Sequence, residues 1–204
     1  MSWRGCSWRR VPPAPFQPRA AAGALPARRV LAAVPRGRAF PPRSGVHFIC
    51  PQCSLGGACP TSSGRLYTNS LFGGIELGSG PVLPLLGVAR ARDVGPAKQG
   101  VLRFIPSTDY PGWFSLKTLW FSFPSYQGPV FIRGRQLDGS HSVGIGDGPS
   151  TNDPEFPAGP TVNGGGGFRE WPGATWLSAP GCYAWQVDGL DFSSVIVFTA
   201  EIER

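Results

Sequence analysis

The chain has 204 residues, of which 41% are apolar, 29 are Gly and 23 are Pro, and its formal net charge is +7. That length holds one ordinary domain plus extra segments, and the apolar share is enough for a core. The charge is uneven: residues 1–60 carry nine Arg and no acid, residues 61–99 four bases and two acids, and residues 100–204 six bases and ten acids, so the mildly acidic C-terminal half argues against a nucleic-acid groove there.

Residues 1–45 are built from Arg, Pro, Ala and Gly, as in Arg9-Arg10-Val11-Pro12-Pro13 and Pro35-Arg36-Gly37-Arg38. Prolines interrupt every helical pattern, and such a composition buries too little surface to offset chain entropy. Residues 1–65 are therefore expected to be a disordered basic arm, with the folded domain at 66–204. Three readings of the arm stand. It is a vestigial targeting region, although its longest apolar run, Val30 to Val34, is too short for a secretory leader. It is a basic arm for phosphates or anionic lipid. Or it is a coding stretch read upstream of the natural start or out of frame.

Five cysteines occur, at 6, 50, 53, 59 and 182. His47, Cys50, Cys53 and Cys59 form H-x2-C-x2-C-x5-C. Four such ligands suit tetrahedral zinc, but a ribbon or finger spaces its two ligand pairs further apart. No βαβ pattern surrounds the CxxC, so thioredoxin-like chemistry has no support. Cys182 opens a core strand and reads as a small buried hydrophobe. Disulfide pairing stays open.

Short apolar runs then follow, each bounded by Gly, Pro or Asp. Gly80 to Val88, Gly100 to Ile105, Leu116 to Phe123 and Pro129 to Leu137 read as strands. In the last, Val130 and Ile132 share one face and Arg133 and Arg135 the other. Gly167 to Trp171 and Ala174 to Ser178 read as two segments broken by Pro172-Gly173. The strongest pattern is Pro180 to Gly189 followed by Phe192 to Thr199. Aromatic and β-branched residues fill both arms, and Asp188-Gly189 is expected to supply a φ > 0 position between them. The last strand is apolar on both faces, so it belongs inside a sheet. No long window shows helical periodicity. Seven to nine strands at this spacing predict an antiparallel β-sandwich.

Gly146 to Gly167 is expected to be a long loop. Its Asp147, Asn152, Asp153 and Glu155 could ligate calcium, but their spacing matches no EF-hand. Gly144-x-Gly146-x-Gly148 lacks the βα unit of a nucleotide loop and reads as turns. A hydrolase would have to use His47 or His141, and His141 sits in a turn-like stretch without a nucleophile elbow. Of seven Trp, Trp120 and Trp185 fall mid-strand and are expected in the core. Trp113 and Trp171 fall at turns. With Trp176 they are the candidate ligand-binding residues, through stacking on sugar rings or a partner protein.

Lys117-Thr118-Leu119-Trp120, the block from Gly128 to Gly139, Trp171-Pro172 and the run PGCYAWQVDGLDFSSVIVF (180–198) resemble a group of small bacterial secreted or lipid-anchored proteins. The resemblance covers about Gly80 to Ala200, and its C-terminal block is the specific part. It implies an immunoglobulin-like β-domain, extracellular or at the cell envelope, with no assigned activity. The expected role is non-enzymatic binding or structure, toward a protein or glycan partner at the cell surface. No cofactor is implied, and membrane contact would come only through a lipid anchor. The alternatives are a carbohydrate-binding module using the turn tryptophans and a hydrolase around His141.

Overall fold

A computed structural model describes residues 58–68, 73–87, 91–92, 100–149, 153–161 and 165–203. They form an all-β fold. The strands are β1 (Gly64–Thr68), β2 (Gly73–Leu77), β3 (Val82–Leu86), β4 (Ala91–Arg92), β5 (Val101–Pro106), β6 (Phe114–Ser122), β7 (Val130–Gln136), β8 (Val143–Gly146), β9 (Glu155–Phe156), β10 (Arg169–Leu177), β11 (Gly181–Asp188) and β12 (Ser193–Ile202). One ladder runs β1-β2-β3-β6-β10-β8. A second runs β9-β7-β11-β12-β5-β4. The end of β5 joins them, because Ile105 and Pro106 pair with Ser115 and Phe114 of β6.

The hairpin β11–β12 forms where the alternation predicts it, in unbroken register from Gly181↔Ala200 to Asp188↔Ser193. Tyr183, Trp185 and Val187 point one way and are fully buried with Ile196 and Phe198. β12 lies inside the sheet, between β11 and β5. The β12–β5 pair is parallel, whereas a wholly antiparallel arrangement was expected.

Along the strand path, β6 and β11 are three steps apart. In a flat sheet that is about 14 Å. Yet the rings of Trp120 and Trp185 lie 5.4 Å apart, edge to face. The sheet therefore curls until inner faces of the two ladders meet, and Leu116, Phe104, Val130 and Ile132 join the same core.

Several local expectations are corrected. β10 is one strand from Arg169 to Leu177, paired to β6 throughout. It passes through Pro172 because β8 covers its other side only at Ala174–Leu177. The N–H of Glu170, on that same side, donates to Thr161 Oγ1 at 3.0 Å. By strand alternation the missing N–H of Pro172 faces this open side, where no ladder bond is lost. Part of the long loop is also strand: Glu155 and Phe156 pair with Phe131 and Val130 as β9, and the loop's first residue, Gly146, ends β8, a strand not expected from sequence.

Gly189 does not adopt φ > 0. The connection is a four-residue loop between paired Asp188 and Ser193, closed by the Gly189 N–H donating to Phe192 O at 2.9 Å. Glycine is needed there for space, since a Cβ would lie 2.2 Å from the Phe192 ring.

The ordered fold reaches further toward the N-terminus than residue 66. Cys59 is disulfide-bonded to Cys182, with Cα atoms 5.5 Å apart. The Ser62 N–H donates to Val197 O at 2.8 Å, and the Gly78 N–H donates to Ser63 O at 2.9 Å. The rest of the expected basic arm, including His47, Cys50 and Cys53, lies outside the described residues.

Candidate functional site

The turn between β5 and β6 is tied internally. The Ser107 N–H donates to Trp113 O at 2.8 Å and the Trp113 N–H to Tyr110 O at 3.0 Å. The Tyr110 N–H donates to Ser107 Oγ at 3.0 Å. Gly112, at φ +85°, turns the chain with nothing near its Cβ position. The turn lifts Tyr110 to the surface, where it is 39% exposed. Its ring meets Trp176 edge to face at 5.2 Å. Trp176 is only 8% exposed, and its indole N–H donates to Gly146 O at 2.9 Å. Gly148 passes close by, since a Cβ there would sit 3.1 Å from the Tyr110 hydroxyl. Half-buried Trp113 borders β6 on the same turn. Tyr110 was not among the residues singled out from sequence, where nothing distinguished it from other turn aromatics.

Trp171 is elsewhere. It lies within β10, not at a turn, five residues from Trp176, so the two rings belong to opposite faces of the sheet. Phe156 stacks on Trp171 at 4.7 Å, and the Arg169 guanidinium lies 4.7 Å from its ring centroid. Trp113, Trp171 and Trp176 therefore do not make one platform. Trp113 and Trp176 share an end of the molecule with Tyr110, and Trp171 is engaged by its own neighbours.

Arg169 is fully buried. Its Nη1 donates to Pro157 O at 3.1 Å and Gly159 O at 3.3 Å, and its Nη2 to Gly128 O at 2.8 Å and Tyr126 O at 3.4 Å. Burial lowers its pKa, and the nearby Tyr126 partly opposes that. Burial likewise raises the Tyr126 pKa, against the pull of the Leu190 N–H, which donates to the Tyr126 hydroxyl at 3.0 Å. That hydroxyl donates in turn to Pro129 O at 2.6 Å. This node clasps the loops after β6 and β9. Sequence offered no signal for it, because the partners of Arg169 are main-chain carbonyls.

His141 is exposed on the turn after β7, and its Nδ1 lies 3.1 Å from Ser178 Oγ. The main-chain N–H of His141 donates to Gln136 Oε1 at 2.8 Å. Nearby, Asp138 Oδ2 accepts the Cys182 N–H at 2.9 Å, and the Tyr183 hydroxyl donates to Ala179 O at 2.8 Å. The Tyr183 pKa is pushed up to about 12, first by burial and then by the Asp138 charge.

The cysteine readings change. Cys182 is a bridged cysteine, not an isolated buried thiol, and Cys59 is no free thiolate for zinc. Of the calcium set, Asn152 lies outside the described residues and Glu155 is in β9. Among the described residues, no group of three or more His, Cys, Asp or Glu is placed to hold a metal ion. No family model, curated protein or solved structure matches this chain.

Proposed function

We propose that the protein is an extracytoplasmic, immunoglobulin-like β-sandwich domain that acts by binding and not by catalysis, at the cell envelope or outside the cell. The observation that carries the compartment is the Cys59–Cys182 disulfide, since such bonds persist in oxidising surroundings and are rare in the reducing cytosol. The curled pair of ladders with its shared aromatic core supports the sandwich reading. The block that resembles bacterial secreted and lipid-anchored proteins forms the central hairpin β11–β12. The test is intact mass under non-reducing conditions, on protein taken from fractionated native cells. An envelope or secreted fraction carrying the cystine is expected. A cytosolic protein with Cys59 and Cys182 both as free thiols would sink the proposal.

For the partner, a specific observation favours the end that carries Tyr110. Its ring is presented to solvent and braced by buried Trp176, with half-buried Trp113 on the same turn. A braced aromatic suits stacking against a sugar ring or an apolar patch on a protein. Tryptophan fluorescence titrated with soluble polysaccharides should change for the wild type and not for Tyr110→Ala. No response to any polysaccharide removes the glycan reading and leaves a protein partner. The hydrolase reading has the His141–Ser178 contact in its favour. The described bonds of His141 include no carboxylate, and a triad needs one to orient the imidazole. His141→Ala would have to abolish a measurable ester or phosphate turnover for that reading to advance.

A further inference from the structure

We propose that residues 59–63 form a redox-latched strap, held over an open stretch of the β12 edge by the Cys59–Cys182 bond. β5 pairs with β12 only from Thr199 onward. The Thr199 N–H donates to Gly100 O at 2.8 Å, and Gly100 lies before the start of β5. Two residues earlier, at Val197, the strap takes over. Val197 O accepts the Ser62 N–H at 2.8 Å, and the Val197 N–H donates to Ser62 Oγ at 3.0 Å. One serine thus satisfies both main-chain groups of a core-strand residue that β5 does not reach.

Gly100 makes the crossing possible. A Cβ there would stand 2.9 Å from Thr61 Cβ and 3.1 Å from Ser62 O, and its φ of +53° suits glycine. Beyond Ser62, the Ser63 carbonyl accepts the Gly78 N–H. The apolar contacts of the strap are small: Cys59 packs with Leu137 and Val195 on a patch made by Cys182, Ala184 and Val197.

Magnitudes decide what holds the strap. A net hydrogen bond in water returns less than the entropy lost by ordering one residue of chain. The bonds that Ser62 makes to Val197 do not by themselves offset the ordering of the segment back to Cys59. The covalent link fixes the Cys59 end beside β12, as β1 fixes the other end through Gly64 and Leu77. Reduction by a dithiol breaks the S–S bond. Two electrons and two protons pass to the sulfurs, giving two thiols, and the dithiol becomes its own disulfide. The Cys59 end of the strap is then released to lift from β12, while Gly64 stays paired to Leu77 and bounds the motion, and Val197 loses the partner of its N–H and C=O.

The test is hydrogen exchange, followed by mass spectrometry and amide NMR on the full chain, before and after reduction with dithiothreitol and on Cys59→Ser. Exchange at Ser62, Gly78 and Val197 should quicken by at least about tenfold while tryptophan fluorescence from the core stays constant. Should Cys59→Ser fail to fold, Ser62→Ala in the oxidised protein serves instead, with faster exchange at Val197 expected and the disulfide intact. Unchanged protection at Val197 after verified reduction overturns the proposal. So does loss of core protection in the same step, which would make the bond a brace for the whole fold.

Discussion

Arg169 shows how far one side chain's surroundings can outweigh its type. A buried guanidinium normally has a carboxylate, but this one is solvated by carbonyls from two loops and by the faces of Trp171 and Tyr126. Arg169→Met keeps the volume but takes the guanidinium donor from the Pro157, Gly159 and Gly128 carbonyls, while Tyr126 O keeps Ser122 Oγ at 2.7 Å. It should cost about 1–3 kcal/mol in urea unfolding, because partly buried acceptors lose a charged donor that joins two loops. Tyr183 makes a pH prediction. Its folded pKa of about 12 lies above the ordinary tyrosine value of 10.0, so the folded state holds the proton more tightly. That contribution is complete below the unfolded pKa and is lost as pH rises through the window up to the folded value. Stability should therefore fall by roughly 3 kcal/mol as pH rises from about 10 to about 12, and Tyr183→Phe should remove that share while leaving the contribution of Tyr126, whose pKa is raised as well. A wild-type stability flat across that window would show that the burial is relieved in solution.

Among the elements, β7 and β8 illustrate what a glycine inside a strand means. Gly134 pairs with Trp185 in β11, and Val143 of β8 occupies the space its side chain would need: a Cβ there would come within 2.4 Å of Val143 Cγ1. The two strands belong to different ladders, so this is a contact across the core. Gly134→Ala should destabilise by about 1–3 kcal/mol in denaturant titration. Adding Val143→Ala should restore part of that loss, with a coupling above about 0.5 kcal/mol. Additive effects would show that the strands can slide apart. The run PVFIRGRQL displayed its alternation, with Val130 and Ile132 buried and Arg133 paired to Asp188 at 2.6 Å. Its glycine could be read as a marker of close approach, but not of which residue approaches. β8 and β9 went unread because two to four residues among Gly and Pro carry no usable period.

Across the whole molecule, the two ladders share one aromatic core through Trp120, Trp185, Phe198 and Phe104. Unfolding of the described β fold should therefore be cooperative, with fluorescence and circular dichroism transitions that coincide. Trp185→Ala, which empties the centre of that core, should cost about 3–5 kcal/mol in the same titration. Two separated transitions would mean that the ladders are stabilised independently. The expected β fold and its central hairpin were legible because they rest on alternation within contiguous residues. The candidate site was legible only in part: Trp113 and Trp176 were singled out, while Tyr110, which braces against Trp176, was not, and Trp171 proved to lie on another face.

Sequence by itself determined the all-β character, the β11–β12 pairing, the interior position of β12 and the buried places of Trp120 and Trp185. Each follows from local periodicity and residue type, which neighbours in the chain express without help. Only the tertiary structure decided that Cys59 meets Cys182 across 123 residues, that Arg169 is caged by carbonyls, that β10 runs through Pro172, and that Gly189 answers to crowding by Phe192 and not to a left-handed turn. Most of these depend on which distant segments are brought into contact. That is set by closing the sheet around one core, a condition that no short window of sequence contains.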